Sequence, residues 1–420
     1  MFKGNILTEY VLQIKRNTID LNYLGSIKLP ILAGPDRFTW QWAGGPIAYD
    51  SQQNKIYMQG HINFDDIGEF ALPDVGQIAP SPVWKDWTNG RLASLRTELK
   101  AFTPNGIRHR GLVFADNALY GNVQPFYNVT NYWMKGHWCN DMATDSFYGF
   151  GKISLKNLEW GGFLGVLPQS VQDALNFDSW MFESVPQGLS ATNQGPALAL
   201  FNRSKNIVDD GEVKITPLFD SYQTHAYPGW WGDRQINGAT FTNTHFVCTY
   251  RNSFGTRWYG NGSNGRVMGE ASTDPLHQIQ STLFPGKVAI DPYDNVSQGY
   301  HAEQYKLYLL CASIESIIAG TPIWEEIDIS QNMIRSIRGQ GSIVFDSANS
   351  RLIISEWSAD GSIPRLHVFQ TTKLISDKER ISQLETSVSE LQSEIDAKNQ
   401  EISDIKTTIS QAISQLQTTL

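Results

Sequence analysis

Two stretches, GPIAYDSQQNKIYM (45–58) and GSIVFDSANSRLII (341–354), repeat one pattern at distant points of the chain. Each reads as a glycine, a short apolar strand, an Asp-Ser turn and a basic residue that opens a second strand. The Asp side chain can accept hydrogen bonds from the backbone of the turn, after which the chain returns antiparallel. The pattern therefore predicts two similar β-hairpins, one near each end of a β-rich region.

Weaker forms of the same pattern occur between these two stretches. Four segments carry all or part of it: Gly111-LVFA-Asp116, Gly286-KVAI-Asp291, Gly195-PALALFN and Gly238-ATFTNTHFVCTY. One hairpin cannot bury its own faces, so several must pack together. Most of the copies recur at intervals of roughly 40–65 residues, which fits the four-stranded blades of a β-propeller. A blade of about 50 residues predicts six or seven blades, and we favour seven. A β-sandwich or an irregular β domain is the alternative.

A propeller must also close its ring, commonly by combining strands from both chain ends in one blade. The segment LNYLGSIKLP (21–30) could supply a strand beside the last repeat, SEWSADGSIPRLHVFQ (355–370). This pairing would bring the end of the β-rich region back to the rim of the disc.

The last fifty residues differ in composition from everything before them. No aromatic residue follows Phe369, and neither Gly nor Pro follows Pro364. Apolar residues instead recur at the a and d positions of a heptad, which is the signature of a coiled coil. These positions are occupied by Ile381, Leu384, Val388, Leu391, Ile395, Ile402, Ile405, Ile409 and Leu416. The sequence therefore predicts a mainly β head over 1–370 and an oligomerising coiled-coil stalk over 371–420.

The residues of the stalk indicate how many chains the coiled coil contains and whether its end contacts another protein. β-Branched residues at a with Leu at d favour two strands, whereas Ile at both positions, as at Ile402 and Ile405, favours three. Lys398 is the exception at d, because its charge must leave the seam. We favour a trimer over a dimer. The sparsely charged end TTISQAISQLQTT (407–419) either inserts into another protein of the assembly or is a freely solvated oligomerisation segment.

Overall composition excludes several classes of function. Aromatic residues make up 12% of the 420 residues, charged residues 18%, and the net charge is -9. A nucleic-acid-binding protein needs a basic face, which this acidic chain does not suggest. No stretch approaches the length of a membrane span, and residues 1–25 do not read as a signal peptide. We expect no nucleic-acid binding and no membrane insertion.

Catalytic and metal-binding templates are not matched. The sequence has no GxxxxGK[ST] loop, HExxH or GxSxG motif, so an enzymatic activity stays undecided, with binding preferred over catalysis. His137 and Cys139 form an isolated HxC, which is more often a core or turn pair than a zinc site. We expect no metal and no cofactor. Paired carboxylates for glycoside cleavage could be drawn from a scattered set, Asp65, Asp66, Asp233, Glu325 and Glu326.

The three cysteines are Cys139, Cys248 and Cys311, and they form no CxxC pair. They are expected to be buried free thiols, with one disulfide as the alternative.

Binding of sugar has better support, from aromatic residues in glycine-rich stretches. HAYPGWWGDRQ (225–235) and TRWYGNGSNGR (256–266) read as loops, and NYWMKGHWCND (131–141) is a third candidate. Aromatic faces beside planar polar groups suit a sugar ring, through stacking on its C–H face and hydrogen bonds to its hydroxyls. The candidate ligand-binding residues are Tyr227, Trp230, Trp231, Asp233, Arg234, Trp258 and Tyr259. The alternative is that these aromatic residues pack between blades.

The combination of a charge-poor aromatic β head with a Ser/Thr/Gln-rich heptad segment resembles the fibre, spike and appendage proteins of tailed bacteriophages. The likeness is one of architecture and matches no family-specific motif. It implies a virion protein that is assembled in the host cytoplasm, anchored to other virion proteins through the coil and attached to host surface glycan through the head. A glycan-cleaving propeller enzyme and a purely structural virion component without a ligand are the alternatives.

Overall fold

The structure is a computed structural model of the chain. It describes residues 19–32, 39–40, 43, 45–61, 66–85, 107–125, 135–153, 163–176, 180–184, 198–202, 212–213, 215–219, 235–259, 266–268, 300–334, 340–360, 363–371 and 377–419. The chain divides into two compact units, Met1–Thr372 and Lys373–Leu420.

The first unit is mainly β, and its described strands form five sheets arranged like the blades of a propeller. The first strand of the chain, β1 (Leu21–Lys28), belongs to the last blade. Blade 1 contains β2 (Ile47–Asp50), β3 (Lys55–Gln59), β4 (Ile67–Ala71) and β5 (Val83–Lys85). Blade 2 contains β6 (Ile107–Ala115), β7 (Ala118–Pro125), β8 (Lys135–Asp141) and β9 (Ser146–Ile153). Blade 3 contains β10 (Phe163–Val166), β11 (Trp180–Ser184), β12 (Leu198–Asn202) and β14 (Ile215–Phe219).

The remaining blades complete the ring. Blade 4 contains β15 (Gln235–Phe241), β16 (His245–Tyr259), β18 (Tyr300–Ser313) and β19 (Trp324–Asp328). Blade 5 contains β20 (Gln340–Asp346), β21 (Arg351–Asp360), β22 (Ile363–Thr371) and the N-terminal β1. Two short strands lie outside this four-strand plan: β13 (Glu212–Val213) on β9 and β17 (Arg266–Met268) on β16. Short helices are α1 (Gln169–Leu175), α2 (Ile314–Ile318) and a 3-10 turn at Ser330–Asn332.

The inner strands, which we define as the first strand of each blade in chain order, form a closed ring. β2, β6, β10, β15 and β20 each lie at one edge of their sheet, and each contacts the inner strands of both neighbouring blades. Five clusters of buried apolar residues fill the space between the blades, one cluster for each adjacent pair, including blades 5 and 1. Because every blade buries both faces against its neighbours, the ring has a continuous core.

The hairpins at 45–58 and 341–354 have matching turns. β2 pairs with β3 from Asp50 to Lys55, and β20 pairs with β21 from Asp346 to Arg351, so each loop has the same length. Asn54 and Ser350 occupy equivalent positions with φ of 52° and 51°. The predicted strand, Asp-Ser turn and basic start of the next strand are confirmed in both blades.

The glycine of the repeated pattern lies at a backbone irregularity of the inner strand. Pairing shifts register next to Gly111 in β6, next to Gly238 in β15 and across Gly341 in β20. Side chains of second strands bond to these bulges: Asn122 Oδ1 accepts from the Gly111 N–H at 2.8 Å, and Thr249 Oγ1 donates to the Gly341 carbonyl at 3.2 Å. The pattern therefore marks where the inner strands bend around the ring.

The predicted closure of the ring is confirmed. β1 pairs antiparallel with β22 from Leu21–Thr371 to Lys28–Arg365, so blade 5 combines strands from the start and the end of the head. The register shifts between Tyr23 and Gly25, where Gly25 has φ of 131°. Such a conformation favours glycine.

The predicted number of blades is wrong, because the described residues form five blades rather than six or seven. Long connections make the average blade consume more residues than the assumed length, and blade 4 alone runs from 235 to 328. Gly195-PALALFN opens no blade either, since it contributes β12, the third strand of blade 3. Gly286-KVAI-Asp291 lies outside the described residues.

The three cysteines are buried free thiols, as the sequence predicted. Burial raises the pKa of the Cys311 thiol, and the charge of Glu325 raises it further, so this thiol stays protonated and packs as a small apolar side chain.

The second unit contains one long helix, α3 (Asp377–Thr419), which would extend over about 65 Å. Seam residues whose burial is described have half or more of their surface exposed in the single chain: Leu391, Ile395, Ile402, Ile405, Ile409 and Leu416. Lys398 interrupts the seam and pairs with Glu401 at 3.0 Å, so its charge turns away along the helix. The helix of one chain does not itself show a coiled coil, which stays a prediction. Among the described helices, none combines the length and apolar character of a membrane span.

Candidate binding cavity at the centre of the ring

A cavity of about 330 Å³ lies where the five inner strands converge. Every inner strand contributes to its wall, through Ala48 and Tyr49 of β2, Leu112–Phe114 of β6, Leu164–Val166 of β10, Thr240 and Phe241 of β15, and Ile343–Phe345 of β20. These residues belong to the last part of each strand. The cavity therefore lies at the end of the ring where the inner strands turn into the second strands.

The rim of the cavity is made by the segments that follow the inner strands. Ser347 starts the hairpin turn of blade 5, and Asn243 lies in the turn of blade 4. In blade 3 the hairpin turn is replaced by Pro168 and helix α1, whose first residue, Gln169, also lines the cavity. Asn243, Ser347 and Gln169 are exposed, so the rim offers hydroxyl and amide groups to solvent.

Some polar groups of the wall are already committed to the fold. The Thr242 hydroxyl accepts the His245 backbone N–H at 3.0 Å and bonds to the His245 carbonyl at 3.3 Å, which fixes the turn of blade 4. The Tyr49 hydroxyl donates to Asn54 Oδ1 at 3.0 Å. These bonds hold the turns in place and leave the exposed rim groups to meet a ligand.

Tyr49 lies at the boundary between blades 1 and 5, close to Asp346 and Arg351. Burial raises the pKa of Tyr49, and the nearby Asp346 carboxylate raises it further, while the Arg351 charge opposes the shift. The phenol therefore stays a neutral hydrogen-bonding group at neutral pH. Asp346 is itself neutralised by Arg351, whose Nη2 and Nε lie 2.7 Å and 3.0 Å from the same carboxylate oxygen.

Backbone groups add to the chemistry of the cavity. Each of the five inner strands is the edge strand of its sheet, so one side of its backbone has no strand of the same sheet to pair with. Buried backbone groups need a hydrogen-bond partner, which can be a side chain, water or a ligand. The described lining thus combines aromatic faces, uncharged side-chain groups and backbone donors and acceptors.

Most of the ligand-binding residues predicted from sequence lie outside the described residues: Tyr227, Trp230, Trp231, Asp233 and Arg234. Trp258 and Tyr259 are at the end of β16, where they pair with β17 and β18. The interpretation of this part of the stretch as a loop is therefore wrong, because β17 and β18 both pair with the backbone of 257–259. The side chains of these two residues lie outside what the structure describes.

The third aromatic candidate stretch is partly core. Trp138 of β8 is fully buried between blades 1 and 2, and its ring lies against Gly121, whose missing side chain makes room for it. His137 and Cys139 are buried on the same strand. Among the described residues, no group of three or more His, Cys, Asp or Glu side chains is placed to hold a metal ion.

The candidate carboxylates are dispersed where they are described. Asp66 is buried in blade 1, whereas Glu325 and Glu326 lie on β19, the fourth strand of blade 4. Asp65 and Asp233 lie outside the described residues. None of the three described carboxylates lines the cavity.

The cavity was not predicted from the sequence, although residues of the repeated pattern form part of its wall. The four residues between Gly and Asp of the repeat include the lining residues Ala48, Tyr49, Val113, Phe114, Val344 and Phe345. The site could have been located from the sequence, because the first strand of each propeller blade lies next to the axis of the ring.

The chain is similar to known proteins only at the level of solved structures. No protein-family model matches the sequence, and no curated protein matches it. The chain is similar to the tail fibre of Staphylococcus aureus phage P68, with 10% identity, a TM-score of 0.31, and coverage of 87% of this chain. It spans 56% of the length of that tail fibre. At this identity and score, neither a shared fold nor a shared function follows.

Proposed function

We propose that this chain is a virion appendage protein of a tailed bacteriophage, a tail-fibre-like adhesin that attaches through its head to host surface glycan. In this proposal the helix is an oligomeric stalk, with three chains favoured over two. The stalk also anchors the protein to other virion components. Several heads on one stalk would convert weak individual contacts into firm attachment.

The observation that carries the proposal is the exposed seam of α3. Ile395, Ile402 and Ile409 lie one heptad apart, and each has half or more of its surface in contact with solvent in the single chain. An isolated helix that leaves such a stripe in water is unfavourable, because each fully buried apolar side chain contributes about 1.5–3 kcal/mol. Copies of the same helix can cover the stripe at a and d positions.

The head supports a binding role because it offers a preformed cavity with uncharged polar groups at its rim. The assignment to a phage virion comes from the combination of this head with the heptad segment. It does not depend on the similarity to the phage tail fibre described above.

The mass of the intact protein, measured by light scattering at micromolar concentration, tests the stalk. We expect a mass near three times the 47.2 kDa of one chain. Replacing Ile402 and Ile409 together by Glu places charges in the seam and should yield single chains.

The matched control places the same charges outside the seam. Ser393 and Thr407 lie at outer heptad positions, so the double replacement of these residues by Glu should leave the mass unchanged. A single-chain mass for the unaltered protein would overturn the oligomeric adhesin.

A further inference from the structure

We propose that the central cavity of the ring binds one uncharged saccharide unit. This proposal rests on the proposed function and adds to it the place where the head binds glycan. Only the host origin of the sugar is taken from the proposed function. The source of the saccharide in the assay therefore need not be a host cell.

The dimensions of the cavity suit a small ligand. Its volume of about 330 Å³ lies at the lower end of the range of about 300–1,000 Å³ that is usual for small-molecule pockets. A single sugar ring is a ligand of this size, whereas a folded peptide segment is larger. Residues of all five inner strands line the cavity, so a ring-shaped ligand would contact several blades at once.

Three half-buried aromatic side chains from different blades line the cavity: Tyr49, Phe114 and Phe345. Phe114 is held by a stacked contact with Tyr57, with ring centroids 5.5 Å apart and an interplanar angle of 9°. Aromatic faces that are held in place can bury the apolar C–H face of a pyranose with little loss of side-chain entropy.

The polar groups of the cavity are suited to hydroxyls. Asn243 and Ser347 provide an exposed amide and an exposed hydroxyl at the rim, and the edges of the inner strands provide backbone donors and acceptors. A sugar hydroxyl both donates and accepts, so it can bond to either kind of group. The described lining is therefore complementary to a polyhydroxylated ligand.

Charge selects the class of saccharide. The described residues that line the cavity are all uncharged, and the nearby Asp346 and Arg351 are paired with each other at 2.7 Å. A charged ligand would lose its hydration in the cavity without an opposite charge to compensate. An uncharged sugar avoids this penalty.

The experiment uses the full-length protein and a variant that fills the cavity. The labelled protein is applied to an array of neutral and acidic bacterial saccharides, and the best-bound saccharide is then titrated by calorimetry. Ser347→Trp places a large ring at the rim, and we expect it to weaken binding by at least about tenfold, or about 1.4 kcal/mol. Ser51→Trp is the matched control, because Ser51 occupies the equivalent turn of blade 1 but does not line the cavity.

A second cavity variant, Asn243→Trp, keeps the test valid if Ser347→Trp does not fold, and thermal unfolding checks each variant. If the protein binds a neutral saccharide and both cavity variants bind it as tightly as the control does, the cavity is not the site, although the adhesin proposal stands. Binding of acidic saccharides alone would overturn the uncharged class. If no saccharide binds, both the cavity proposal and the glycan-binding role are wrong. The oligomeric stalk is tested separately, by the mass of the intact protein.

Discussion

His367 and Glu356 form a pair inside blade 5, with Nε2 and Oε2 2.7 Å apart and neither side chain exposed. The same carboxylate oxygen accepts the backbone N–H of Ile334 at 3.0 Å. On the other side of the imidazole, Nδ1 lies 3.0 Å from the hydroxyl of Tyr23. Because Tyr23 belongs to β1 and the pair belongs to β22 and β21, these contacts join the N-terminal strand to the last blade and stabilise the closed ring.

Removing the imidazole should destabilise the head strongly. His367→Ala removes the histidine partner of the buried Glu356 carboxylate, and we expect the free energy of unfolding to fall by about 3–5 kcal/mol. Urea denaturation measures this change. Lys306→Ala is the control, because the Lys306–Asp328 pair at 3.1 Å is partly exposed and its loss should cost less than about 1 kcal/mol. Equal effects of the two substitutions would contradict the closure role of the buried pair.

The close approach of β15 and β20 should make Gly238 sensitive to any side chain. A Cβ there would lie 2.7 Å from the backbone nitrogen of Ile343 and 2.8 Å from Cα of Ser342. Because backbone atoms must move, Gly238→Ala should lower the free energy of unfolding by about 1–3 kcal/mol. At Gly45 the nearest obstacle is the end of the Gln59 side chain, so Gly45→Ala should cost less. Thermal unfolding of the two variants compares them directly, and a larger loss for Gly45→Ala would refute this packing argument.

Acid should weaken the hairpin of blade 5 through Asp346. Burial alone would raise the pKa of this carboxyl, but hydrogen bonds from Asn349 and Arg351 and the Arg351 charge outweigh burial and lower the pKa below its ordinary value. The folded pKa thus lies below the unfolded value of about 3.9, so the stabilisation is present above that pH and is lost as the pH falls through the folded pKa.

The variant Asp346→Asn isolates this contribution. Its unfolding free energy should lie below that of the unaltered protein at about pH 5, and the difference should shrink toward about pH 2. Asp328, whose pKa is also lowered, is present in both proteins and cancels in the comparison. A difference that stays constant over this range would show that ionisation of Asp346 does not stabilise the fold.

The turn between β6 and β7 requires two residues with left-handed backbone. Asp116 and Asn117 have φ of 51° and 55°, which is the geometry of a type I′ turn. Asn117→Gly should keep or slightly raise the stability, whereas Asn117→Val should lower it by about 1–2 kcal/mol, because a β-branched residue is strained there. Melting temperatures of the two variants provide the measurement, and tolerance of valine would contradict the assigned geometry.

Local sequence predicted the elements whose signals lie within a few residues. The matching hairpins at 45–58 and 341–354 were predicted because apolar alternation, an Asp turn and a basic residue follow one another directly. The pairing of 21–30 with the last repeat could also be predicted, since a ring needs a closing strand. Trp258 and Tyr259 were misplaced in a loop because neighbouring glycines masked the strand pairing that β17 and β18 provide.

By itself, the sequence determined that the chain has a β head built from repeated hairpins and a helix with an apolar stripe, because both are periodic patterns of adjacent residues. Only the tertiary structure decided that the described strands form five blades and that a cavity lies between their inner strands. The number of blades depends on how many residues the connections between strands add to each blade and on how the faces of neighbouring sheets pack. The cavity depends on residues such as Tyr49, Phe114 and Phe345, which are distant in the chain and meet only when the ring closes.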